Sequence, residues 1–356
     1  MRQLEVLLIT IHLQTLLHGK AEGESNMTHE VSFTEQLKEK VFAGKNITRQ
    51  EALRLKEEPL EQLTSAADEI RKHFLGEQFD MCCIINGKSG KCSENCKFCA
   101  QSAFYHTGAE AYPLLDMDKI LEDAKEKRKR GVPRYSIVTS GKRLSDKEIE
   151  DMCQTVTKIR QETGLSVCVS FGLLDARQFE QLKQAGVTRI HNNLETSRRY
   201  FPQVCTSHSF EDKINAIRAA KKAGLEVCSG GIVGLGETWE DRIDLALTLR
   251  ELEIKSIPVN MLNPIPGTPF EKNKRLTEEE MRRIVAVLRF LLPDAFIRLA
   301  GGRGLLNDKG ESCFLSGANA TITGDMLTTA GYTVESDRTM LEKLEYKLAD
   351  PDKADN

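Results

Sequence analysis

From about residue 80 onward, two hydrophobic patterns alternate along the chain. Short runs rich in β-branched residues recur at Met81–Asn86, Arg134–Ser140, Ser166–Phe171, Arg189–Leu194, Glu226–Val233, Ser256–Leu262, Phe296–Ala300 and Ala320–Thr323. Their length and composition predict strands. Longer charged stretches with apolar residues at helical spacing lie between them: Asp118–Arg130, Ser145–Thr163, Asp175–Ala185, Ser209–Ala223, Trp239–Leu252 and Thr277–Leu292. Gly186 and Gly224 each follow a helical pattern and precede a strand at once, at the C′ position where a left-handed residue ends a helix. Upstream, residues 33–75 keep helical spacing, and Thr48 with Glu51 makes a capping-box pair.

Eight strands alternating with helices predict an α/β fold, a (β/α)8 TIM-type barrel with an N-terminal helical extension. An open doubly wound sheet fits the same period. The barrel reading divides the chain into an extension at 1–26, a helical segment at 27–78, the barrel at 79–334 and a charged C-terminal tail at 335–356 with an exposed helix. It also places reactive groups at the C-terminal ends of strands or in the loops after them.

Composition narrows the function classes. Hydrophobic residues make up 40% and charged residues 29% of 356, an ordinary globular balance. The net charge of −3 gives no basic excess to suggest nucleic acid. No apolar run reaches the roughly eighteen residues of a membrane helix. Leu4–Leu17 is apolar-rich, but Glu5, His12 and Gln14 interrupt it, and a poor cleavage site follows. Met27 is a plausible start. The ten cysteines, three of them within eight residues, point to metal or redox chemistry in a reducing cytoplasm rather than to disulfides.

The dense group is Cys92-x3-Cys96-x2-Cys99, directly after the first strand. Three thiolates can hold three irons of a [4Fe–4S] cubane and leave the fourth open. An open iron can chelate the amino and carboxylate groups of S-adenosylmethionine (SAM), and an electron from the cluster can cleave its sulfonium to give a 5′-deoxyadenosyl radical. No side chain is then needed as a catalytic acid or base. A structural Cys3His zinc site, with His106 as fourth ligand, is the plainer alternative. Phe98 fits either adenine packing or loop packing.

At this loop the sequence resembles the radical SAM superfamily. Through Cys96–Ser102, Val227–Thr238, Val259–Leu262, Arg298–Arg303 and Ser316–Asn319 it is similar to the biotin synthase family. The resemblance covers roughly residues 50–330. It implies a (β/α)8 barrel and insertion of one sulfur into dethiobiotin, with two SAM molecules cleaved in sequence and a second iron–sulfur cluster as sulfur donor. It further implies a homodimer and an electron donor such as flavodoxin or ferredoxin. Carried over residue by residue, it assigns Cys92, Cys96 and Cys99 to the radical cluster. Phe98, Asn193, Glu195, Gly230, Gly231 and Val233 would meet SAM. His191, Asn193 and Asn260 would meet the substrate. The glycines also suit a tight βα turn, and Asn260 also suits a capped strand end.

The sequence departs from that family at the second cluster. The familiar form is a [2Fe–2S] cluster on three cysteines and one arginine. Cys168, Cys228 and Arg298 match, but the remaining cysteine position is Ser136, a harder donor than thiolate. Cys82 and Cys205 are additional. One reading joins them to Cys168 and Cys228 as a four-cysteine set for a larger [4Fe–4S]-type cluster. The other leaves them as small packed residues. At His191 the family has an asparagine. A hydrogenase-cofactor maturase or a methylornithine synthase would share the Cys-x3-Cys-x2-Cys loop, and a non-catalytic iron–sulfur carrier would account for the many cysteines but not for the glycine-rich strand or Asn260.

Overall fold

The strands close on themselves. In the computed structural model, which describes residues 31–324 and 331–350, they pair in parallel in the order β1 (Gln78–Lys88), β2 (Arg134–Thr139), β3 (Ser166–Ser170), β4 (Val187–His191), β5 (Glu226–Cys228), β7 (Ser256–Met261), β8 (Phe296–Leu299) and β9 (Ala320–Thr323). β9 returns to β1, with Asp80 opposite Ala320. β6 (Gly231–Val233) continues β5 after a two-residue break and pairs with β7. The strand expected at Glu226–Val233 is therefore two pieces of one barrel stave. Closure between β9 and β1 rules out the open doubly wound sheet.

The connecting helices form where the spacing predicts. Those starting at Asp146, Ala176, Phe210, Trp239 and Glu278 each open on a capping box, from Ser145, Asp175, Ser209, Thr238 and Thr277 respectively. Each box satisfies two otherwise orphaned backbone donors and is worth about 1 kcal/mol. Gly186 and Gly224 are left-handed, as the C′ position requires. The Thr48–Glu51 box is also present. It opens the second of three N-terminal helices, Phe33–Phe42, Arg49–Leu55 and Leu60–Leu75, which lie against the barrel's outer helices. Arg282 clamps Glu61 at 2.9 Å, Arg283 donates to Lys56 O and Glu58 O, and Arg49 reaches Asp244 at 2.6 Å.

The helix expected after residue 335 forms at Val334–Lys343, but it is not simply exposed. Val334, Asp337, Met340 and Leu341 are buried. Arg303, in the turn after β8, ion-pairs with Asp337 at 2.5 Å inside the protein and fixes this helix to the barrel. A short strand, β10 (Lys347–Leu348), then pairs with the start of β1. The extension at 1–26 and the start at Met27 lie outside the described residues.

Alternate side chains on each strand point into the barrel. At its lower end sits one carboxylate, Asp80, which is 2% exposed. Arg189 Nη1 and Arg298 Nη2 donate to its Oδ2 at 2.8 and 2.5 Å, and Arg134 Nε lies 3.9 Å from Oδ1. Burial alone would raise the carboxyl's pKa, but the three guanidinium groups outweigh it and hold the group well below the usual carboxylate range. Asp80→Asn would leave those cations without their shared counter-charge. A loss of about 3–5 kcal/mol is expected from urea unfolding of the cluster-free chain at pH 7. Because the folded pKa is depressed, Asp80's contribution is full above the unfolded value of about 4 and is lost as pH falls toward the folded one. The gap between wild type and variant should hold from about pH 8 to 5 and shrink below about pH 4.

Candidate active site

A chamber of about 300 Å³ runs up the barrel from the arginine floor to the loops above β1, β4 and β7. Its lower wall carries Cys82 from β1, Ser136 from β2, Cys168 from β3, Cys228 from β5 and Arg298 from β8. The three cysteines are 5–7% exposed. Arg298 Nη1 donates to Cys82 Sγ at 3.3 Å, while its Nε is buried without a partner. Ser136 hydrogen-bonds Cys168, its cross-strand neighbour. Ser256 Oγ donates to Cys228 Sγ at 3.3 Å.

The local field divides these thiols. Burial raises Cys228, but a hydrogen bond from His191 and the charges of Arg298 and Arg189 bring it down to about 6. Cys168 is pushed up to about 12, by burial first and then by Cys228. Cys82 is also raised by burial, against the pull of Arg298. Arg134, Arg189 and Arg298 converge on Asp80, and Arg189 also reaches the partly exposed Glu226 at 3.0 Å. The donor set and the surplus positive charge fit an anionic iron–sulfur group.

Cys205 does not join this set. It lies outside the barrel, in the turn after the short helix Phe201–Val204, with its Sγ 3.6 Å from Cys96 Sγ. The expected grouping of Cys82, Cys168, Cys205 and Cys228 is therefore corrected to three. The residue ahead of Cys205, Val204, accepts a hydrogen bond from Lys97 N, which holds that turn against the upper loop rather than the floor.

The upper loop itself is pinned by its backbone. Cys92 N donates to Gln101 O, Ala103 N to Cys92 O, and Cys99 N to Cys96 O. Gly141 N, in the turn after β2, donates to Cys92 Sγ at 3.3 Å. Cys99 and Phe98 line the chamber. Burial lifts Cys99 to about 11. Phe98 also packs against the cluster of Val204, Ile232, Leu235 and Leu262, the loop-packing role expected of it. His106 is exposed and belongs to no metal-spaced group among the described residues.

Opposite the loop, the chain leaving β4 threads into the break between β5 and β6. Asn192 N donates to Cys228 O, Glu195 N to Gly230 O, and Ile232 N to Glu195 O. Asn193 Oδ1 accepts from Gly230 N at 3.0 Å. A Cβ on Gly230 would sit 2.0 Å from Pro258 O, and one on Gly231 2.5 Å from Glu195 O. Glycine is needed there for these backbone approaches. Gly230, Gly231 and Val233 do not line the chamber, although Ile232 does. Glu195 adopts φ 68°, rare for a non-glycine residue, and its Oε2 is buried with no partner. A strained, unsatisfied carboxylate facing a chamber marks a place where a ligand would bond.

His191, Asn193 and Asn260 all line the chamber. Asn260 Nδ2 donates to Gly231 O, and its Oδ1 accepts from Gly301 N at 2.8 Å. The amide therefore ties β7 to both neighbouring strand ends. One N–H and one lone pair remain for a ligand. Of the floor, the sequence reading singled out Arg298 alone; an arginine opening each of the patterns Arg134–Ser140 and Arg189–Leu194 was the further signal.

Comparisons with known proteins agree with this geometry. A model of the Radical SAM superfamily matches residues 88–249, and one of the Biotin and Thiamin Synthesis associated domain matches residues 258–347. The chain is 61% identical over 314 residues to a biotin synthase of Brachyspira hyodysenteriae, spanning 88% of this chain and 94% of that protein. It is 54% identical over 318 residues to a biotin synthase of Akkermansia muciniphila, spanning 89% and 99%. Among solved structures, a methylornithine synthase superposes with TM-score 0.77 at 23% identity, over 88% of this chain and 97% of that one. An FeFe-hydrogenase maturase from Carboxydothermus hydrogenoformans gives 0.76 at 16% identity, over 89% and 79%. These two structural likenesses establish a shared fold alone.

Glu195 gives a test that needs no ligand. Burial raises its carboxyl pKa, with the charges of Lys213 and His191 opposing. A raised acid disfavours the fold increasingly as pH climbs from the unfolded value toward the folded one. Glu195→Gln should therefore stabilise the ligand-free chain by about 1 kcal/mol at pH 8. The gain should vanish near pH 4, as read by urea unfolding at both pH values.

Proposed function

The chain belongs to the biotin synthase family of radical SAM enzymes, and we propose that its two ends of one barrel chamber divide the family's reaction between them. A radical SAM sulfurtransferase of this family converts dethiobiotin to biotin. When bound, the [4Fe–4S] cluster with SAM supplies a 5′-deoxyadenosyl radical, and the auxiliary cluster supplies the inserted sulfur.

At the upper end, Cys92, Cys96 and Cys99 hold the radical cluster, and Phe98 backs the adenine. Glu195, with its unpartnered oxygen, accepts from the ribose hydroxyls. Asn193 keeps one side chain on Gly230 N and so fixes the strand break beside which the cofactor sits. Asn260 and Asn193 orient the substrate's ureido ring midway down the chamber. His191 is directed to Cys228 and serves the lower end rather than the ring.

At the lower end, we infer that Cys82, Cys168, Cys228 and Arg298 hold the auxiliary cluster. Three thiolates and a guanidine are the donor set of the [2Fe–2S] form, with Cys82 supplying the thiolate that Ser136 does not. The contact of Arg298 Nη1 with Cys82 Sγ carries this assignment. Walls of Ile84, Val138, Ile232 and Ile322 keep water from the reacting carbons. The family pattern also supports a flavodoxin- or ferredoxin-type electron donor, a homodimer and a cytoplasmic setting. Among the described residues, no helix is long and apolar enough to cross a membrane.

Anaerobic reconstitution tests the ligand set. Wild type should hold about six irons per chain, four and two. Cys82→Ala should lose about two of them and lower biotin formation at least about 100-fold, while SAM is still cleaved to 5′-deoxyadenosine. Ser136→Ala should keep all of them. Full iron in Cys82→Ala, or its loss in Ser136→Ala, would refute the assignment. Glu195→Gln should weaken SAM binding by at least about tenfold, read by equilibrium binding to the cluster-loaded chain.

A further inference from the structure

One of the two readings of Cys205 placed it at the floor; the structure has it at the mouth. Its new neighbours are Cys96, which the proposed radical cluster uses, and His208, which the proposed reaction does not. Cys205 Sγ lies 3.6 Å from Cys96 Sγ and 3.3 Å from His208 Nδ1. The three donor atoms all fall within 4.8 Å of one another. A tetrahedral ion with metal–sulfur bonds of about 2.3 Å and a metal–nitrogen bond of about 2.0 Å separates its sulfurs by about 3.8 Å, and sulfur from nitrogen by about 3.5 Å. The observed spacings are close to those of a bound ion.

The group is built rather than accidental. Glu94 and Asn95 of the cysteine loop tie the 205–208 turn to it. Asn95 Oδ1 accepts from Thr206 N and Ser207 N at 2.9 and 3.1 Å, and Asn95 N donates to Ser207 Oγ at 3.0 Å. Glu94 Oε2 accepts from Ser207 Oγ and meets His208 Nδ1 at 2.5 Å. Phe201 packs edge-on against the His208 ring. Cys205 is 3% and His208 9% exposed, and His208 Nε2 is buried without a partner. The Cys205-Thr-Ser-His208 run has the short spacing that metal-ligand pairs use.

We propose that Cys96, Cys205 and His208 form a mononuclear site for a divalent transition ion of the Fe2+ and Zn2+ class in the cluster-free chain. Two thiolates and one imidazole suit such ions, and they leave a fourth position for water. Binding releases the thiol protons and frees His208 Nδ1 from Glu94. Because Cys96 is shared, this ion and the radical cluster exclude each other. An ion seated here must leave Cys96 before the cubane can close. The inference takes Cys96 as a cluster ligand from the reading above, but the metal binding itself does not depend on it.

The test uses the full chain, stripped of clusters under anaerobic conditions and titrated with Co2+. In a Cys92→Ser/Cys99→Ser background, where the cubane cannot form, one Co2+ should still give tetrahedral thiolate-ligated absorption bands. Adding Cys205→Ser or His208→Gln should weaken that binding at least about tenfold. In the wild-type loop, one equivalent of Zn2+ should slow cluster assembly from Fe2+ and sulfide, and His208→Gln should remove most of that delay. Cobalt binding unchanged by either substitution overturns the proposal. So does its absence from the double variant, or a Cys96–Cys205 disulfide as the sole product. If cobalt binds as described but zinc leaves cluster assembly untouched, the claim of exclusion is overturned.

Discussion

One buried carboxylate organises the inside of this barrel. Asp80 sits where β1 enters, and guanidiniums from β2, β4 and β8 converge on it. Four charged groups at that depth could not each be solvated, so they must satisfy one another. Their convergence fixes the inward side chains of four staves at once. It also sets the direction of Arg298, whose Nη2 is held by Asp80 while Nη1 is left against Cys82 Sγ. The proposed metal-binding layer stands on this floor, and the placement of its arginine follows from the ion cluster beneath.

The second constraint is the break between β5 and β6. A regular strand there would fill its own ladder and leave no entry for the chain after β4. With Gly230 and Gly231 at the break, Glu195 inserts by two backbone bonds and takes a left-handed conformation. That insertion holds its carboxylate in the chamber against the preference of a buried charge for water. The strain of Glu195 and the absence of a Cβ on two residues of the next stave are one feature seen from both sides.

This explains what could be read from the sequence and what could not. Strand positions came through because each stave is an apolar run between capped helices, and Ala320–Thr323 agrees to the residue. β4 was placed about two residues late, at Arg189–Leu194 rather than Val187–His191, because Asn192 to Leu194 look like strand but bond across to the β5–β6 break. Cys92, Cys96 and Cys99 were legible because local spacing defines them. Cys82 was legible as an additional cysteine inside a strand, offered either as an auxiliary-cluster ligand or as a packed residue. Cys205 was misplaced because its position depends on the four-residue turn Phe201–Val204 and on Asn95, about 110 residues earlier. The floor was hidden because arginine in a short strand reads as an edge facing water until closure turns it inward.

The exchange of a cysteine at one position for a serine, with a new cysteine on the adjacent stave, is intelligible in these terms. Ser136 and Cys82 both face the chamber from neighbouring strands, so a thiolate can move between them while the count of thiolates is kept. The move brings that thiolate toward Arg298 and the Asp80 floor. There the surplus cation charge offsets part of what burial costs the ionised sulfur. Of the three chamber thiols, Cys228 beside His191 and two arginines is shifted down, whereas burial shifts Cys168 and Cys82 up. Metal would displace those protons as it binds, and the bound cation would offset the burial cost that opposes free thiolates at Cys168 and Cys82.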